Sequence, residues 1–411
     1  IQIAFNTLTS DAITHKEEAM GHFNWKKLRK LSTWKEWEQG EHKQLDQFHL
    51  QEMFGSPIDP DMLPKDAVIL RAHWQYAVKR SGVRRSRLCC NGSKNAAPQL
   101  HAVASTWSSC VELPTQRLFL ALAAANGLSI FGADITDAYA HSNPAETATY
   151  LAIDDAYSEW YQKRFGVVLN RCHVLPVQHS LQGHPESGKM WMKLIDKVLI
   201  KDMGFTSTTH DRCVYRIDWE GKMVLVLRQV DDFMIACTEE KIASDITNII
   251  GTKVRFKSEE KRGELPIQFL GLVDDYNGVD IDQTDSYIKI LAKRYLESFL
   301  ASHGWDIPSD KIDEAFQDCM KSSKPLAPLP MDSISQLFNQ EGPRENTSEF
   351  HALEKASGFS YRTVLGEMMY LYIMARPDIG FAITTLSEFS SCPSAYHYSK
   401  LKGVTKYLQS T

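Results

Sequence analysis

The stretch "LRQVDDFMIAC", residues 227 to 237, sets two adjacent carboxylates, Asp231 and Asp232, at the join of two apolar runs. The flanks "MVLVLRQV" and "FMIAC" have the Val, Leu, Ile and Phe content of buried strands, so the Asp pair is either a turn or a site. Asp favours turns, where its side chain hydrogen-bonds its own backbone. A solvated hairpin turn usually carries Gly or Asn, as "DWEG" at 218–221 does just upstream, and "QVDDFM" has neither. Two anions about 4 Å apart repel by about 4 kcal/mol at a protein-surface dielectric, and a divalent metal is the economical way to offset them.

A second acidic spot lies in "GADITDAYAH", where Asp134 and Asp137 follow another apolar strand. One Asp at a strand end is ordinarily a helix cap. Together with the downstream pair it suggests three carboxylates brought together on neighbouring strands of one sheet. That is the composition of a two-metal site, in which Mg²⁺ takes carboxylate oxygen and leaves room for substrate phosphates.

The surrounding pattern supplies a scaffold for such a sheet. "TWKE" from Thr33 reads as a capping box with Glu36, opening a helix with Trp34, Trp37, Leu45 and Phe48 on one face. Three prolines in "FGSPIDPDMLP" at 54–64 close this segment as a linker. Strand-like runs around "AVILRAHWQYAVKR" and "RLCC" suggest a hairpin, and from Pro114 a helix "TQRLFLALAAAN" feeds the strand "LSIFGADI". A helix at 190–203, the meander "CVYRI", "MVLVLRQV", "FMIAC", and a helix with Ile242, Ile246 and Ile249 complete an α+β layer. The polar stretch 306–350 is expected to be a long loop, and the last sixty residues return to a helical pattern.

Composition bounds the class. At 411 residues the chain can build two or three domains, and 43% hydrophobic with 24% charged residues is ordinary for a globular protein. The longest apolar run, 118–131, is broken by Asn126 and Gly127 and falls short of the ~20 residues a bilayer needs. A net charge of −5 does not announce a nucleic-acid binder, yet the block 78–94 carries six Lys and Arg and no acid, enough to follow a phosphate backbone or a triphosphate. The eight cysteines form no C-x-x-C pair and read as reduced thiols of an intracellular protein. The chain starts at Ile1 without signal peptide and reads as a segment of something longer.

An ordered set of motifs over about residues 35–411 resembles the copia-type LTR retrotransposon polymerase. "ADITDAY" is similar to motif A of reverse transcriptases and "VDDF" to their Asp-Asp motif; "LQGHPESGKMW", "HDRCVY", "FLGL" and "YRTVLGEMMYLYIMARPDIGFAI" follow in the family's order. The resemblance implies a right-hand polymerase fold with fingers, palm and thumb, the palm an antiparallel sheet covered by helices. It divides the chain into an N-terminal helical segment and linker (1–64), fingers (65–133), palm (134–285) and thumb or connection (286–411). It implies that Asp134, Asp231 and Asp232, with the Ile135 carbonyl, hold two Mg²⁺ ions, for which Mn²⁺ can substitute. Tyr139 would bar a ribose 2′-OH, Arg87 and Lys79 would hold the incoming triphosphate, and Gly183 would let base pair or template approach the backbone. Gln229 replaces the usual aromatic before the Asp pair and would lie beside the primer end; Gly188 stands where the common sequence has Pro.

The expected activity is RNA-directed DNA polymerisation with RNA template, DNA primer and dNTPs, in the company of integrase and ribonuclease H segments of a Pol polyprotein, without a membrane. The expected setting is the cytoplasm, in a virus-like particle, or the nucleus. Ribonuclease H activity is expected to be missing from this chain, which stops at "YLQST". The rival readings are an inactive or co-opted retroelement fragment that binds nucleic acid, and a metal-dependent phosphohydrolase, which would explain the acids but not the other motifs.

Overall fold

The computed structural model describes residues 25–78, 83–103, 106–255, 263–276, 278–284, 286–305 and 327–411. The chain is α+β and forms two compact units, one ending at Val273 and taking in Gln283–Ile288, the other holding the rest of the C-terminal part. No helix among the described residues is long and apolar enough to cross a membrane.

In the first unit, helix α1 (Trp34–Leu50) buries Trp34, Trp37, Leu45 and Phe48, the face its periodicity predicts. The expected capping box does not form. Thr33, at φ −83 and ψ 1, lacks the extended backbone of an N-cap and makes no side-chain cap hydrogen bond, and the Glu36 carboxylate pairs with Arg84. Strands β1 (Val68–Val78) and β2 (Arg84–Cys90) make the expected hairpin, and β4 (Thr149–Ala152) and β5 (Val174–Pro176) extend it into a sheet of order β2-β1-β4-β5. Helix α1 lies against β2 through the Ser86 hydroxyl, which donates to the Trp37 carbonyl at 3.0 Å.

The second sheet carries the acids. Helix α2 (Leu113–Ala125) leads into β3 (Ser129–Ile135), which lies between β10 (Ile267–Leu272) and β9 (Asp232–Cys237) in the order β10-β3-β9-β8-β7-β6. Here β8 is Lys222–Gln229, β7 Val214–Trp219 and β6 Thr206–Ser207. On one face Phe131, Ala133, Ile135, Val224, Val226, Phe233 and Ile235 form a core with Trp191 and Ile195 of helix α3 (Ser187–Asp196) and Ile242, Ile246 and Ile250 of helix α4 (Glu240–Val254). Residues alternating with them, Ile130, Leu225, Leu227, Met234 and Ala236, are buried on the other face. Burial on both faces explains why these strands read as unbroken apolar runs.

The second unit is largely helical, with Val364, Met368 and Leu371 packed against Ile383, Leu386, Leu401, Val404 and Leu408. The loop expected over 306–350 is corrected where it is described. Residues Ile334–Phe338 form a helix whose Leu337 is fully buried and whose carbonyl accepts from the imidazole of buried His397 at 2.9 Å. Three apolar side chains, Ile334, Leu337 and Phe338, within five residues of a polar stretch were too short a periodic signal to predict this.

Candidate active site

The Asp pair turns out to be both turn and strand. Gln229 pairs with Asp232, so the β8–β9 hairpin closes on Val230 and Asp231. Val230 takes φ +59, a left-handed conformation that costs a β-branched residue on the order of 1–3 kcal/mol. Two fixed donors over-determine this turn, which is how it forms without Gly or Asn. The Trp191 indole N–H donates to the Val230 carbonyl at 2.7 Å, and the Ile135 amide donates to the Asp231 carbonyl at 3.0 Å.

Asp134 stands directly across from Asp232 in the β3–β9 ladder. Cross-strand partners share a face, and their neighbours Ala133, Ile135 and Phe233 point into the helix-covered core, so both carboxylates face away from it. Strand alternation alone would send Asp231 the opposite way from Asp232. Its place in the turn removes that constraint, and all three acids line one cavity of about 840 Å³. Burial pushes the Asp231 carboxyl above the usual carboxylate range; the charge of Asp134 pushes the same way, while Arg87 and Arg85 oppose it.

Among the described residues no three His, Cys, Asp or Glu side chains are grouped closely enough to hold a metal ion as they stand. Asp134, Asp231 and Asp232 supply carboxylate oxygen along one cavity, and hard oxygen is the donor type that Mg²⁺ takes while keeping water or phosphate oxygens. The same cavity is lined by Arg85 and Arg87 of β2, two residues apart and therefore on one face. Arg85 was missed from sequence, although stepping two residues along the strand from Arg87 would have found it. Burial and the neighbouring Arg87 hold the Arg85 guanidinium below its ordinary value, and Asp137, Asp231 and Asp134 pull it back up.

Tyr139 sits on a four-residue helix, Ala138–His141, and is half-buried, packing on the sheet core while lining the cavity. Burial and then the charge of Asp231 push its phenol up. Ile135 lines the cavity as well. Two sequence candidates lie elsewhere, and a third is not described. Lys79 lies outside the described residues. Gly183, at φ +92, has the Cys90 carbonyl 2.1 Å from where a Cβ would be, so its missing side chain makes room for the end of β2. Gln229 is not among the residues lining the cavity; its side-chain oxygen accepts from the Val111 amide at 3.1 Å.

The profile of the reverse transcriptase (RNA-dependent DNA polymerase) family matches residues 61–305, more than half of the chain. The retrovirus-related Pol polyprotein from transposon TNT 1-94 of Nicotiana tabacum is 23% identical over 358 residues, 85% of this chain and 24% of that protein. The Pol polyprotein from transposon RE1 of Arabidopsis thaliana is 20% identical over 353 residues, 85% of this chain and 21% of that one. The chain thus spans under a quarter of the length of these relatives. A solved structure of apo telomerase from Candida tropicalis, truncated from its C-terminal domain, has a TM-score of 0.32 at 11% identity over 62% of this chain and 60% of that one, too slight a likeness to argue from. With three acids of the sheet around one cavity inside the matched region, the chain belongs to the reverse transcriptase (RNA-dependent DNA polymerase) family, of the copia type its motifs resemble.

Proposed function

We propose that this chain is the RNA-directed DNA polymerase of a copia-type retrotransposon, extending a DNA primer on an RNA or DNA template. The observation that carries the reading is the meeting of Asp134, Asp231 and Asp232 with Arg85 and Arg87 around one cavity, within the region that matches the family. Asp134, Asp231 and Asp232, with the Ile135 carbonyl, would hold two divalent cations, Mg²⁺ or Mn²⁺. When bound, these lower the pKa of the primer 3′-OH and neutralise the leaving pyrophosphate.

The chain's own residues then supply position and charge. Arg87 and Arg85 grip phosphate oxygens, a task that suits forked guanidinium donors, and Lys79 adds a third cation. Tyr139, backed by the core, lies beneath the sugar and bars a 2′-OH. Gln229 and Gly183 act at one remove, holding the 111 segment and the end of β2 around the cavity. Residues 65–133 serve as fingers, 134–285 as palm and 286–411 as thumb or connection, with 1–64 as an N-terminal helical segment. Template and primer are gripped through their backbones, without sequence readout. Integrase and ribonuclease H segments of a Pol polyprotein are the natural partners, in cytoplasmic virus-like particles or the nucleus.

The test is primer extension by the purified chain with RNA template, DNA primer, dNTPs and Mg²⁺. Extension that disappears in Asp231→Asn supports the reading. Nucleic-acid binding without extension would point to a co-opted fragment, and phosphate release without extension to a hydrolase.

A further inference from the structure

One wall of the cavity comes from outside the region that matches the family. Helix α1, residues 34–50, ends before the match begins at residue 61, yet Gly40, Lys43, Gln44 and Gln47 all line the cavity of the three acids. Their spacing, i, i+3, i+4 and i+7, is one face of a helix. Those side chains are turned to the cavity, Gln44 buried, Gln47 partly buried and Lys43 exposed at its edge. Gln44 is 8% exposed. A Cβ on Gly40 would lie 2.8 Å from the Ser86 hydroxyl, so glycine lets the helix close onto β2, the strand of Arg85 and Arg87.

The polar face also touches the acidic side of the cavity. The Gln44 side-chain N–H donates to Asp137 Oδ1 at 3.5 Å, bridging 93 residues of sequence. Asp137 takes φ +51 between the β3 acid Asp134 and Tyr139, and its other oxygen, Oδ2, is shut off from solvent with no hydrogen-bond partner. An aspartate so placed has few restraints on its carboxylate, and the long bond from Gln44 is one of them. Across the cavity Arg87 and Arg85 attract it electrostatically.

We infer that the inward face of α1 belongs to the nucleotide-binding machinery. Gln44 is a positioning residue that orients Asp137, and Lys43 is a further cation for the phosphate end of the incoming nucleotide. The inference rests on the polymerase reading above and names a part of that site. Its chemistry follows from the residues: a deoxynucleoside triphosphate presents anionic oxygens to Lys43, Arg85 and Arg87, and its one sugar hydroxyl to carboxylate and amide acceptors. Gln44 is buried on the cavity side, with its amide turned to Asp137.

The test uses the full chain on a primer-template with a dideoxy-terminated primer and a non-hydrolysable dTTP analogue, so that nucleotide affinity is read without catalysis. Single-nucleotide extension gives KM and kcat in parallel. Gln44→Ala and Lys43→Ala are each expected to weaken nucleotide binding and raise KM about 5- to 20-fold, with kcat within about 3-fold and primer-template affinity unchanged. Gln44→Glu, nearly isosteric, should weaken binding at least as much, because it sets a second carboxylate against Asp137; its thermal midpoint reports whether the fold survives. Lys35→Ala, on a side chain 78% exposed and away from the cavity, is the control expected to match the parent. Unchanged nucleotide affinity in Gln44→Ala and Lys43→Ala overturns the inference and leaves α1 a structural cover, as does a parent that binds no nucleotide. A parent that binds nucleotide with this dependence on Gln44 but never extends a primer overturns the polymerase reading instead.

Discussion

Replacing Trp191 by Phe tests whether the hairpin turn is held in place by the helix beneath it. Trp191 is 1% exposed in the sheet core, and its indole N–H supplies the hydrogen bond to the Val230 carbonyl. Phe keeps an aromatic body in the core but cannot donate. Leaving that carbonyl unpaired costs about 1–3 kcal/mol. A few tens of Å³ of lost volume at ~24 cal/mol per Å³ adds about 1 kcal/mol, so the expected loss of stability is about 2–4 kcal/mol. The turn also stores on the order of 1–3 kcal/mol of left-handed strain at Val230, and freed from its donor it relaxes, carrying Asp231 with it. A displacement of ~1 Å at a reacting centre costs ~10²-fold in rate, so single-turnover extension should slow by about 10- to 100-fold. Urea unfolding measures the first quantity and rapid-quench extension at saturating dNTP the second, with primer-template affinity expected within about 3-fold because binding rests on phosphate contacts elsewhere. A folded variant that extends at the parent's rate would refute the idea that the turn needs this anchor.

Four further outcomes are expected. Asp231→Asn abolishes extension but, without added metal, raises stability at pH 7, because burial already disfavours the ionised carboxyl; a lower urea midpoint for the variant would contradict this. Tyr139→Ala admits ribonucleotides, and since a small group in a pocket is worth about 1–3 kcal/mol, the rNTP-to-dNTP preference should shift about 10- to 200-fold; an unchanged ratio would make Tyr139 a core residue only. Gln229→Leu loses about 1–3 kcal/mol by stranding the Val111 amide, yet the ratio of mismatched to matched primer extension stays that of the parent; a changed ratio would put Gln229 at the primer end after all. Glu41 is 3% exposed, accepts a hydrogen bond from Tyr76, and burial raises its pKa to about 7. A raised carboxyl favours the folded state when protonated, so its stabilisation is full below about pH 4.5 and lost as pH rises towards about 7. Glu41→Gln should therefore gain on the order of 2–3 kcal/mol over the parent at pH 8 and nothing at pH 4; equal urea midpoints at pH 8 would show that the buried charge costs nothing.

The sequence by itself marked the hairpin of β1 and β2, the meander of β7, β8 and β9, the strand β3 and the carboxylates at the strand ends. Unbroken apolar runs such as "MVLVLRQV" are a local signal, because a strand covered on both faces must be apolar at every position. Carboxylates at the ends of such runs stand out against that background. The face each acid takes was not legible. Strand alternation separates Asp231 from Asp232, and only the hairpin register, with Gln229 opposite Asp232 and Val230 forced to positive φ by Trp191 and Ile135, brings both to one cavity. Gln229 and Gly183 show the same limit from the other side. Motif position sets them beside substrate, and only the fold displays that Gln229 also holds the Val111 amide and that Gly183 allows the close approach of Cys90. Helix α1 was read correctly as a helix with Trp34 and Trp37 inward, but nothing in its periodicity says that Gln44 meets Asp137. Helix and strand follow from contacts a few residues apart, which a sequence displays. A site is made of contacts across a hundred, and those exist only once the chain has closed.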